Sequence, residues 1–197
     1  MADLSDFYPL IRPYVSGVPN SVMSASLIKS AREFCSSTAS YKTTVTGTLL
    51  DGAQDVAITL PDDLYQIDYV MSGDQTFTLV DELPDSTDSA TPRYVAPLLP
   101  SSLRFDVLAD KDTDFSARIV LRPSLSATTI DDNLFYRWGE VIAFGACFDI
   151  QSQLGKPWAN PDAAGVMRSR YKSGEGRAQN ANVGNNLQVA SRRWLCR

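Results

Sequence analysis

The sequence predicts an α+β protein: a four-helix bundle with a small antiparallel β-sandwich or barrel insertion and an extended C-terminal arm. Three observations predict it. Apolar residues recur at three- and four-residue spacing over 20–37 and again after Thr129, the signature of helices with one buried face. Between Thr38 and Thr129 the chain is rich in Thr, Val, Ile and Tyr, in short runs separated by turn clusters, which reads as strands. From Asn182 onward, Asn, Gln and Gly dominate, and Gly184-Asn185-Asn186 breaks a helical pattern. The implied divisions are a helical bundle over 1–38 plus 130–181, a β-rich insertion over 39–129, and an extended arm over 182–197.

The elements follow in order. Leu4, Phe7, Tyr8, Leu10 and Ile11 form a helical stripe, but Pro9 and Pro13 limit it to a short, kinked helix ending near Arg12. After the turn Ser16–Pro19, Asn20 is expected to cap a second helix, whose apolar face runs Val22, Met23, Leu27, Ile28, Ala31, Phe34 and Cys35 and which ends near Ser37. Strands are expected at 41–46 and 56–60, flanking a turn at 50–54, then at 67–71, 76–80, 103–108 and 117–121. Pro61–Tyr65 reads as one helical turn, Asp81–Pro92 as a loop, and the aspartates between Asp106 and Asp114 as a charged hairpin turn. Asp131 or Asp132 caps the most apolar helix, with Leu134, Phe135, Trp138, Val141, Ile142 and Phe148 on its stripe and Gly155 as its stop. Asn160, followed by Pro161 and Asp162, opens a final helix that should run to about Ala181. No internal repeat is present.

Composition narrows the function. The 197 residues are 44% hydrophobic, enough to bury a core and too many for a chain disordered throughout. No apolar run approaches the roughly 20 residues of a membrane span. The acidic start, Met1–Asp6, has neither the basic nor the apolar region of a secretory signal, so a cytosolic origin is expected. Cys35, Cys147 and Cys196 are far apart and odd in number, which fits neither a disulfide framework nor a zinc site. Histidine is absent, which removes every imidazole-based triad and the commonest metal ligand. No phosphate-binding glycine motif occurs, and the paired carboxylates sit at turns and caps, where Asp serves the backbone. No enzyme activity and no cofactor or metal are expected. From Ala163 onward there are seven basic residues and one acidic, a net +6 in a chain of net −5, so the remainder carries −11. A basic end bearing Trp194 and Leu195 suits docking on an acidic partner.

Three ordered motifs carry a resemblance. Leu10-Ile11-Arg12-Pro13-Tyr14-Val15 with Gly17-Val18-Pro19 leads into Ala31-Arg32-Glu33-Phe34-Cys35. Leu60-Pro61-Asp62-Asp63-Leu64-Tyr65-Gln66-Ile67 follows. Gly155-Lys156-Pro157-Trp158-Ala159-Asn160-Pro161 lies between the last helices, with Arg170-Tyr171 and Gly176-Arg177-Ala178 downstream. In this order the motifs resemble head-to-tail adaptor (connector, neck) proteins of tailed bacteriophages, of the podovirus type. The resemblance implies a structural protein of the virion neck, made in the host cytoplasm. It implies a ring of twelve copies between the portal protein and the tail nozzle or tube, through which genomic DNA passes without specific binding. It implies portal docking by the arm through Val189, Arg192, Arg193, Trp194, Leu195 and Arg197, with the inter-helix loop Gly155, Lys156, Pro157, Trp158 and Asn160 as a second characteristic feature. An arm of this kind should order only on the portal. The acidic remainder would keep a channel wall from gripping phosphate. The alternatives are another neck or tail component (head-completion, stopper or nozzle subunit), or a DNA-binding module using Arg168–Arg177.

Overall fold

A computed structural model describes residues 1–98 and 101–194, with side chains of the last helix described through Asn182. From the amino end the order is β1 (Ala2–Asp3), a 3₁₀ turn (Leu4–Phe7), α1 (Tyr8–Ile11), α2 (Asn20–Thr38), β2 (Lys42–Leu49), β3 (Asp55–Ala57), β4 (Asp63–Ser72), β5 (Gln75–Thr76), β6 (Thr78–Leu79), β7 (Ser89–Ala90), β8 (Tyr94–Leu98), β9 (Ser102–Phe105), β10 (Leu108–Ala109), β11 (Thr113–Arg122), β12 (Thr129–Ile130), α3 (Asp132–Gln151) and α4 (Pro161–Trp194). The chain divides into two compact units, Met1–Tyr41 with Pro123–Arg197, and Lys42–Arg122.

The first unit is built on α3, whose buried residues include Leu134, Val141, Ile142, Phe144, Ala146, Cys147 and Ile150. Asp131 caps it, accepting hydrogen bonds from the backbone N–H groups of Asn133 and Leu134. α2 buries Met23, Leu27, Ala31, Phe34 and Cys35 against it. α4 packs against both α3 and α2. Glycines set how closely these helices approach. A Cβ at Gly145 would fall 2.8 Å from the Tyr171 ring, and one at Gly174 would fall 2.5 Å from Val141. Ser30 sits at the same crossing and donates its hydroxyl to the Ile142 carbonyl.

The second unit contains two four-stranded sheets, ordered β2-β11-β4-β5 and β3-β9-β8-β6. In the first, β11 is central. It alternates buried Phe115, Ala117, Ile119 and Leu121 with half-exposed residues such as Ser116 and Arg118, the pattern of a sheet covered on one face. Phe105 of β9 meets Phe115 of β11 edge-on at 5.8 Å between ring centroids and Phe77 at 5.3 Å, so the rings join the two sheets in one core. β2 pairs with β11 without interruption, Lys42 standing opposite Val120, so this unit begins and ends on neighbouring strands. The β11–β4 ladder shifts register twice, leaving Asp68 and Tyr65 as the extra residues on β4. Asp68 bonds Lys42 at 2.7 Å, and Tyr65 lies under the Arg122 guanidinium. Gln54 is buried and holds the loop after β6. Its amide donates to the carbonyls of Pro84 and Phe105, and its oxygen accepts from Ser86 N–H.

The expected four-helix bundle with a small insertion is therefore corrected. The first helix is a 3₁₀ turn and four α-helical residues, because Pro9 and Pro13 leave no room for more. Three long helices remain. The β-part is extensive, twelve strands lie in four sheets across the described residues, and β6–β8 and β7–β10 pair in parallel. Many of these strands have two to five residues, too short to show an alternation in sequence.

The extended arm is also corrected. α4 continues through Gly184-Asn185-Asn186 to Trp194. Interior Gly costs about 1 kcal/mol and Asn less, while a helix already nucleated adds one hydrogen bond per residue. Three boundaries move as well. Pro19 occupies the N-cap of α2, and Asn20 is its first helical residue. α3 ends at Gln151, where the Ser152 hydroxyl takes the Phe148 carbonyl, short of Gly155. Pro61–Tyr65 feeds β4 from Asp63 and forms no helical turn.

Candidate functional site

Two segments carry the residues singled out in the sequence: the α3–α4 loop and the end of α4. The loop is short and tightly made. Gly155 has φ +78°, which a side chain would resist, and the Asn160 N–H bonds the Gln151 carbonyl at 2.9 Å. Trp158 is half-buried and donates its indole N–H to Gln153 at 3.2 Å. The Asn160 side chain accepts from Ala163 N–H and so caps α4 ahead of Pro161. Gly155, Lys156, Pro157 and Asn160 are exposed.

The second segment lies at the opposite end of α4. The rise of an α-helix puts Val189 about 40 Å from Asn160, so the loop and the docking residues form two separate places. The side chains of Val189, Arg192, Arg193 and Trp194, and the whole of Leu195 and Arg197, lie outside the described residues. So does the expected ordering of the arm on its partner.

Between these ends α4 carries the basic run Arg168–Arg177, whose positives the sequence spacing places on roughly one face. Ala164, Met167, Tyr171, Gly174, Glu175 and Ala178 face inward. Arg168 and Lys172 are four residues apart and share one side of that stripe, while Arg170 and Arg177, seven apart, share the other. The positives therefore straddle the buried stripe and do not form one row. Arg168 lies over Phe148 at 5.6 Å. Arg170 lies over Phe144 at 5.3 Å and Tyr14 at 5.9 Å. The i, i+4 spacing of Phe144 and Phe148 was the available signal, since it places both rings on one side of α3. Both guanidinium groups thus lie over rings of the helical unit, while Arg168 and Arg170 remain exposed as residues.

The buried polar groups serve packing. Glu175 is 7% exposed and takes the Lys172 ammonium at 2.6 Å. Burial pushes the Cys147 thiol up to about 12, which leaves it protonated and unreactive at neutral pH. Burial also raises the Tyr171 phenol, with further contributions from the charges of Glu175 and Glu33 and from Cys35. Among the described residues its hydroxyl has no hydrogen-bond partner. In the β unit, an open cleft of about 550 Å³ is lined by Thr46, Gly47, Thr48, Met71, Asp114 and Phe115, among others. Its one carboxylate, Asp114, is engaged by the Thr48 hydroxyl at 2.6 Å. Among the described residues, no group of three His, Cys, Asp or Glu is placed to hold a metal, and no helix is long and apolar enough to cross a membrane.

Charge is divided unequally. The β unit has six basic and fourteen acidic residues, a net −8, and the rest of the chain has twelve and nine, a net +3. The arrangement offers surfaces for partners and no assembled nucleophile, base or cation site among the described residues. No known protein family matches this chain, and no curated protein matches it.

Proposed function

We propose that this chain is a structural protein of a tailed-phage virion, a head-to-tail adaptor whose copies form a ring, about twelve by the family resemblance, between the portal and the tail nozzle or tube. The observation that carries the reading is the order of the three motifs: Leu10–Val15 with Ala31–Cys35, Leu60–Ile67, and Gly155–Pro161. Two features support it. The β unit is inserted between α2 and α3, so helices from both sides of it pack together. Basic residues concentrate along α4 and toward its end, while the β unit is strongly acidic. In this reading the C-terminal residues Val189, Arg192, Arg193, Trp194, Leu195 and Arg197 engage the portal, with Trp194 as the aromatic anchor and the arginines pairing with acidic groups. DNA passes through the ring without being specifically bound.

Co-assembly with the portal of the same phage tests this. The full chain and a truncation after Val183 are each mixed with portal rings, then sedimented and imaged by electron microscopy. An added ring with the full chain and none with the truncation is the expected result. Portal rings left bare by the full chain would overturn the reading.

A further inference from the structure

The sheet edges of the β unit are not equally protected. β5, β3 and β6 have two, three and two residues, too short to template another strand. The β4 side of the first sheet is interrupted by the extra residues Asp68 and Tyr65. β2 has none of these defences. It pairs with β11 over eight residues in unbroken register, contains no proline, and carries no ionisable side chain from Thr43 to Leu49. Thr44, Thr46 and Thr48 are exposed, and among the described residues no backbone hydrogen bond joins 42–49 to any segment other than its sheet neighbour.

We propose that β2 pairs with β2 of a second copy of this chain, antiparallel about a two-fold axis at Thr46, giving a continuous eight-stranded sheet. The sequence of β2 selects this occupant. With Thr46 on the axis, Thr44 meets Thr48 of the second copy and Val45 meets Gly47, so hydroxyl faces hydroxyl and no charges oppose. Gly47 has no side chain, and the Phe115 ring fills the place of one, 2.8 Å from where a Cβ would stand, so Val45 of the second copy faces that ring. Charge selects the direction. The edge starts among Lys42 and Arg118, which share Asp68 and so keep one net positive charge, and ends among Asp51, Asp112 and Asp114. An antiparallel pair brings each basic end beside the other copy's acidic end, whereas a parallel pair sets like beside like. The inference does not rest on the neck reading; it describes the free protein, whose exposed edge it covers.

The mass of the full chain in solution tests it, by sedimentation equilibrium up to millimolar concentration. The wild type should reach twice 21.6 kDa. Thr46→Lys and Thr46→Asp should each remain at the single-chain mass, because each sets like charges against one another at the axis. An equimolar mixture of the two should regain the double mass. That rescue separates a lost interface from a misfolded variant. A wild type that stays monomeric leaves the edge to a different protein's strand and overturns the proposal. So does a dimer that both variants preserve, or a mixture of folded variants that fails to associate.

Discussion

The helical unit and the β unit solve the packing problem in opposite ways. The helical unit brings backbones together, and its tightest points are places where a side chain is missing: Gly145 against Tyr171 and Ser30, and Gly174 against Val141. The β unit fills its interior with large rings, Phe77, Phe105 and Phe115, two of which are supplied by strands of different sheets. Added volume is therefore resisted at more glycine crossings in the first, Gly47 against Phe115 being the counterpart in the second, whose ring cluster makes it the more sensitive to lost aromatic volume.

The largest expected effect breaks the β side of that comparison. Phe105 is fully buried and touches both other rings. Phe105→Ala should cost about 3–5 kcal/mol, read as a fall in the urea midpoint of a probe in the β unit. An unchanged midpoint would mean the rings do not bear the core.

The next tests the helical side. Gly145→Leu should cost about 1–3 kcal/mol by overpacking, even though leucine favours helix. Far-UV circular dichroism during urea titration measures it. A stabilised helical signal would show that α3 and α4 have slack.

The smallest effect sharpens the contrast by acting on one unit alone. Cys147 in the helical unit has its ionisation raised from 9.0 to about 12 by burial. The folded thiol keeps its proton after the unfolded chain has lost it. Stability is therefore full below pH 9 and declines as pH climbs toward 12, by on the order of 1 kcal/mol at pH 10. Cys147→Ala should flatten that alkaline decline. An identical slope in the variant would place its origin elsewhere.

What was legible in the sequence follows from how locally each element is determined. α2 and α3 were readable because their apolar stripes repeat over five turns, and Asp131 because a cap acts on residues two and three positions away. β8 was hidden by its own Pro97. The strand tolerates that proline because β6 covers only Tyr94 and Val95, leaving the proline on an edge stretch. The far half of α4 was misread because Gly184, Asn185 and Asn186 carry weak local preferences that a long helix overrides. In the candidate site, the Asn160 cap was visible in sequence, whereas Gly155 was expected to end α3 and instead turns the loop four residues beyond it. The stacking of Arg168 and Arg170 was not visible, since it depends on where α4 lies along α3.

The adjacency of Lys42 and Val120 has a consequence for ancestry. Lys42, which begins the β unit, faces Val120, two residues short of its end at Arg122, about 5 Å away on one ladder. A bridge of a few residues would span that gap, so a single splice could delete the whole unit from a helical forebear or graft another module in its place. The surfaces carried by the β unit could then turn over by exchange of cassettes while the helical chassis was inherited intact.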